Sequence, residues 1–209
     1  MILVTISINI NVYSVAYAQQ HKDSTTNNNN NDPNQKSMSK PIVHVTIEGT
    51  SSNDKVRGGD GNDNLDGKDG DDTLNGEPGD DTISGDVGND RLNGQLGDDE
   101  VEGGEGNDQI KGESGDDKIT GDEGNDRLEG GKGNDDVDGG EGNDNLKGGE
   151  GNDKVEGGEG KDKLKGGDGA DSFICDLADK ISDFNSAEGD EISGQCSVID
   201  ESQPETANA

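Results

Sequence analysis

Thirteen copies of a nine-residue unit, Gly-x-x-Gly-x-Asp-x-apolar-x, run without interruption from Gly58 to Ile174. Glycine fills the first and fourth positions of every copy, aspartate the sixth, and a single apolar residue the eighth. A period this strict means stacked units, each burying its apolar side only against its neighbours. The eighth position narrows the geometry. Odd-numbered copies carry Leu65, Ile83, Val101, Ile119, Val137, Val155 and Phe173; even-numbered copies carry Leu74, Leu92, Ile110, Leu128, Leu146 and Leu164. Branched Val and Ile dominate one series and Leu the other, so the structural period is read as eighteen residues. A short strand around each apolar residue then stacks in parallel on the strand eighteen residues later, about 4.8 Å away. The fold expected is all-β: a right-handed parallel β-roll, a β-solenoid with two nonapeptides per 18-residue turn and short capping strands.

Composition shows what such a roll lacks. The chain is 23% hydrophobic and 2% aromatic with a formal charge of −32, values that place it among self-repelling, disordered polypeptides. The repeat block holds 36 Asp and Glu against 11 Lys and Arg, or −25 of that charge. One apolar side chain in nine does not offset the conformational entropy lost by ordering nine residues. A bound cation supplies the missing stabilisation. Glycines at positions one and four are read as positive-φ residues that turn the chain tightly and aim carbonyls inward. The aspartate adds a carboxylate to that concavity. With no His or Cys in the unit, the donors are all hard oxygens, which suits calcium better than zinc, copper or the strictly octahedral magnesium.

On these residues the unit resembles the hemolysin-type calcium-binding repeat, or RTX repeat, Gly-Gly-x-Gly-x-Asp-x-apolar-x. Seven copies carry the full Gly-Gly start; Lys68, Glu77, Asp86, Gln95, Glu113 and Asp122 replace the second glycine in the others. The resemblance implies a metal turn over the first six residues of each unit and a strand over the last three. It implies that each calcium sits between the turns of repeats n and n+2. The metal residues would be Asp63, Asp72, Asp81, Asp90, Asp99, Asp108, Asp117, Asp126, Asp135, Asp144, Asp153, Asp162 and Asp171, with turn carbonyls of the Gly-rich loops. Thirteen turns paired in this way give about eleven ions, whose +22 is close in size to the block's −25.

The flanks differ in kind. Met1 to Ala18 is rich in apolar residues, ends in Ala16-Tyr17-Ala18, and resembles a secretory signal peptide; a retained anchor is the other reading. Residues 19–40 are read as a disordered Asn/Ser/Thr-rich linker. Residues 41–57 are read as an N-terminal capping strand, Pro41 to Ile47, followed by a degenerate repeat from Gly49 to Arg57. Residues 175–200 form the expected C-terminal cap, with its Asp-Phe and Gly-Asp pairs, and 201–209 a disordered tail. Cys175 and Cys196 are the only cysteines and are expected to form a disulfide in a secreted chain, the alternative being two free thiols. His21 and His44 stand alone and are given no metal or catalytic role.

Other glycine-rich designs fail on particular residues. Collagen needs glycine at every third position, and position seven is never glycine here (Asn64, Thr73, Thr82, Arg91). EF-hands need flanking helices and a glutamate at the twelfth loop position. No nucleophile–histidine–acid set is present, so no enzyme is expected. No nucleic-acid partner and no membrane span after signal cleavage are expected either. The reading is a secreted, extracellular calcium-binding protein whose roll folds as calcium loads. The alternatives are a calcium-dependent structural or adhesive protein of the cell envelope or extracellular matrix, and a fragment of a larger RTX effector.

Overall fold

The computed structural model describes residues 44–199. The expected signal peptide, the linker, residues 41–43 of the capping strand and the tail at 201–209 lie outside the described residues. Among the described residues there are twenty strands and no helix, and every pairing between strands is parallel. Accordingly none of them belongs to a helix long and apolar enough to cross a membrane.

The strands form two sheets, an eleven-stranded one that carries the position-eight residues of the odd units and a nine-stranded one that carries those of the even units. Register confirms the eighteen-residue coil. Leu65 pairs with Ile83 and Ile83 with Val101 in the odd-unit sheet; Leu74 pairs with Leu92 and Leu92 with Ile110 in the even-unit sheet. Side chains alternate along a strand, so position eight points inward while seven and nine point out. The core is accordingly two facing columns of single side chains, Leu65 to Phe173 and Leu74 to Ile181, each at most 2% exposed. Ile47 and Val56 close one end of these columns, and Phe184 and the two cysteines pack against the other.

Most strands are longer than the three residues the resemblance implies. Thr73–Pro78, Thr82–Val87 and Arg91–Leu96 each run six residues, from position seven into position three of the next unit. The ladder continues through position two, where Glu77 pairs with Gln95 and Gly131 with Gly149. Position two is also left-handed. All six non-glycine residues there, Lys68 through Asp122, have φ between 69° and 84°. A left-handed residue bends a strand as it does in a bulge, at a cost of roughly 1–2 kcal/mol for a residue bearing a Cβ.

Glycine at position four is obligatory for two reasons. Its φ lies between 127° and 154° in all thirteen units. A Cβ there would also overlap the carbonyl of the coil beneath, as Gly124 would meet Gly106. Position one differs from its expectation: its glycines have no positive φ, and their role is steric.

At the C-terminal end, Ser172–Cys175 pairs with Glu191–Gly194, and Lys180–Ile181 pairs with Lys163–Leu164. Cys175 and Cys196 form the expected disulfide across this cap, with Cα atoms 5.5 Å apart, inside the range a disulfide spans.

Candidate metal centre

The thirteen sequence-assigned aspartates occupy one place thirteen times. Each lies at the inner corner of a coil, at most 3% exposed. A complete accounting of their polar atoms leaves one unmatched. The Asp63 carbonyl accepts the N–H of Thr82 at 2.9 Å, and this bond recurs along the roll. The backbone N–H of Asp108 donates to Oδ1 of Asp126 at 2.8 Å, and the N–H of Asp90 to Oδ1 of Asp108 at 2.7 Å. Oδ2 is what remains. In all thirteen aspartates it is buried and has no hydrogen-bond partner. A buried unsatisfied polar atom costs about 1–3 kcal/mol, and more when charged.

The glycine at position one explains where that oxygen points. A Cβ on Gly58 would overlap Asp63 Oδ2 and lie 2.8 Å from the carbonyl oxygen of Gly76. On Gly112 it would overlap Asp117 Oδ2 and lie 2.7 Å from the carbonyl of Gly130. Glycine therefore keeps open a cleft between its own unit's carboxylate and a carbonyl of repeat n+2. Among the described residues no three His, Cys, Asp or Glu side chains converge on one point. A cation in the cleft would be held by one or two carboxylates and by backbone carbonyls. A set of neutral and anionic oxygens without nitrogen or sulfur fits calcium.

Electrostatics point the same way. Burial, opposed by the backbone N–H and reinforced by neighbouring aspartates, pushes Asp81, Asp90, Asp117 and Asp135 up to about 6 from the ordinary 3.8. The same causes push Asp99, Asp126 and Asp153 up to about 7. Asp162 also reaches about 7, with the neighbouring carboxylate of Asp179 adding to burial. A column of like charges at coil spacing resists ionisation until a counter-charge enters between them.

The ladder extends beyond the thirteen. Asp162 N–H donates to Asp179 Oδ1 and Asp171 N–H to Asp190 Oδ1, each at 3.0 Å. A Cβ on Gly157 would lie 2.9 Å from both Asp162 Oδ2 and Asp179 Oδ2, so at this end a carboxylate replaces the usual carbonyl. Sequence spacing concealed these two residues, because the steps are 17 and 19 residues rather than 18. Asp54 N–H donates to Asp72 Oδ1, and Asp54 stands at position six of the degenerate unit, where the pattern makes it visible.

A second ladder runs along position five, which the sequence marks only by its pattern: Asn or Asp in every unit from Asn62 to Asn152. These exposed side chains accept the backbone N–H of the position-five residue one coil later, as Asn107 does from Asn125 at 3.0 Å. His44 heads this ladder, its Nδ1 lying 2.8 Å from the N–H of Asn62.

The geometry agrees with what the comparisons found. The family model of the RTX calcium-binding nonapeptide repeat matches four times, at residues 46–74, 66–101, 102–137 and 138–173. Together these span more than half of the chain. No curated protein matches the chain. A calcium-binding repeat protein is what the stacked coils, the carboxylate columns and these matches describe in common, and the chain belongs to the RTX calcium-binding nonapeptide repeat family.

Proposed function

We propose that this is a secreted calcium-binding protein whose roll folds when calcium loads. Each ion lies between the turns of repeats n and n+2, about eleven in all for thirteen repeat turns. The observation that carries the reading is the set of thirteen buried, unpartnered Oδ2 atoms facing clefts that only glycine leaves open. Metal-free, the folded coil must desolvate these charges or protonate them. Calcium offsets that cost and binds only the assembled cleft. Each site therefore adds RT ln(1 + [Ca]/Kd) to stability, about 2.7 kcal/mol at a hundredfold excess over Kd. Sites that share carboxylates along a column load together, and folding becomes steep in calcium. The role is binding rather than catalytic: the buried carboxylates are spent on the coil and its metal. A chain this acidic stays unfolded at low calcium and folds where calcium is plentiful, which suits export followed by folding outside the cell.

Circular dichroism of the full chain against calcium tests this. A coil spectrum in chelator at neutral pH should convert steeply to a β spectrum and revert on adding chelator, with magnesium a poor substitute. A β-rich spectrum in excess chelator at neutral pH would sink the metal-driven reading.

A further inference from the structure

The outward faces of the two sheets carry opposite charge. At positions seven and nine, the even-unit sheet and its continuations into both caps present nine Lys or Arg against one carboxylate, Glu129. The same positions of the odd-unit sheet present eight Asp or Glu against two lysines, Lys118 and Lys154. In a chain of net charge −32, nine of the fourteen cationic side chains among the described residues thus line a single face.

This face is under-neutralised within the molecule. Glu129 is held by Lys147 at 2.8 Å and Lys111 at 3.5 Å, and Arg57 reaches round to Glu77 at 3.0 Å. Lys55, Arg91, Arg127, Lys163, Lys165 and Lys180 are exposed and form no ion pair among the described residues. Four of these six, Arg127, Lys163, Lys165 and Lys180, border a groove of about 350 Å³ that crosses the strands towards the C-terminal cap. On the opposite face, Lys118 pairs with Glu100 and Lys154 with Asp136 and Glu156, which leaves Glu102 and Asp138 without an ion pair among the described residues.

We infer that the basic face of the even-unit sheet docks on the acidic face of the odd-unit sheet of a second copy of this chain. Both faces are parallel sheets with the same strand spacing, about 4.8 Å, so rows of opposite charge meet at a common repeat. The two faces lie on opposite sides of one roll. The contact is therefore heterologous and does not close, and copies add side by side into open stacks. Calcium decides when this happens. The carboxylates at the turns repel other copies until ions neutralise them, after which the two faces dominate at short range. The inference rests on the calcium-loaded reading above.

Sedimentation of the calcium-loaded full chain, with circular dichroism run in parallel, tests it. At about 20 mM salt the chain should associate with rising concentration, and raising salt to about 0.5 M should weaken association at least tenfold. The triple variant Arg127→Glu, Lys163→Glu, Lys165→Glu alters only exposed side chains. It should keep the β spectrum, remain monomeric alone, and cap wild-type stacks through its intact acidic face. A chain carrying Glu102→Lys and Asp138→Lys should restore association with the triple variant. A calcium-loaded β spectrum with a monomer at low salt overturns the inference, whereas failure of the spectrum to form overturns the calcium reading instead. Calcium-dependent association that survives the triple variant assigns the contact to calcium bridges between acidic faces and overturns it too. So does a monomer that the triple variant alone releases from a heparin matrix, which gives the basic face to a polyanion.

Discussion

Positions five and six are neighbours in every repeat and perform the same act, accepting a backbone N–H one coil away. They do it in opposite directions and with opposite consequences. A position-five side chain accepts from the coil after it, and its other atoms face water; Asn125, for example, also donates its amide to Asn107 at 3.0 Å. A position-six carboxylate accepts from the coil before it and buries a second oxygen with nothing to meet it. The outer ladder is complete on its own, and either Asn or Asp serves. The inner ladder is incomplete by construction, and only Asp appears. Two stitches of like geometry thus separate a structural role from a metal-binding one.

Breaking the inner ladder should have the largest effect. Asp108→Asn with Asp126→Asn keeps both Oδ1 acceptors but puts an NH2 where each unpartnered oxygen points. The sites these residues line lose their anionic ligand. Their affinity should fall by at least the roughly 10–100-fold that loss of even an outer-shell partner costs a metal. Isothermal calorimetry should record fewer ions per chain, and the calcium midpoint of the β transition should rise. Unchanged calcium uptake would refute the sharing of one ion by repeats n and n+2.

Acidification separates the ladders next, because position six alone has strongly raised carboxyls. In the metal-free fold Asp99, Asp126 and Asp153 hold protons up to about pH 7 that the unfolded chain releases near 3.8. The folded state binds more protons across that window, so metal-free stability falls as pH rises from about 4 to 7 and returns on acidification. Calcium must displace those same protons, so its affinity moves the other way and weakens below about pH 7. In chelator, the β signal should therefore grow as pH drops from 7 to 5. At fixed limiting calcium, ion occupancy should drop over that range. Slopes of the same sign in the two experiments would mean that the buried carboxyls do not hold the calcium.

Much of this was legible because a strict period converts sequence into space. The alternation of Leu with Val and Ile at position eight predicts the eighteen-residue coil, and Leu74 does lie beside Leu92. The thirteen aspartates follow from the same period. Features that depend on the neighbouring coil's atoms were not legible. The repeat pattern alone suggests a positive φ for Gly58, whereas its task is to leave room for Asp63 Oδ2 beneath the carbonyl of Gly76. Nothing local marks Glu77 or Gln95 as left-handed; the strand bends there and the ladder on either side holds them. Asp179 and Asp190 escaped because the cap loses a residue before one and gains a residue before the other, while the backbone absorbs both steps.

The smallest expected effect completes the contrast. Asn107→Ala with Asn125→Ala removes side-chain acceptors for the backbone N–H groups of Asn125 and Asn143, at 3.0 and 3.1 Å, and the amide donations between neighbouring coils. Those N–H groups lie at the surface and turn to water, so each loss should cost no more than about 0.5–1.5 kcal/mol. The calcium stoichiometry should not change, since the atoms nearest the glycine clefts belong to the position-six carboxylate and the facing glycine carbonyl, as at Gly58 and Gly112. Thermal unfolding of the calcium-loaded variant should therefore shift by a few degrees while calorimetry counts the same number of ions. If ions are lost as well, position five helps to shape the metal turn, and the two ladders act as one.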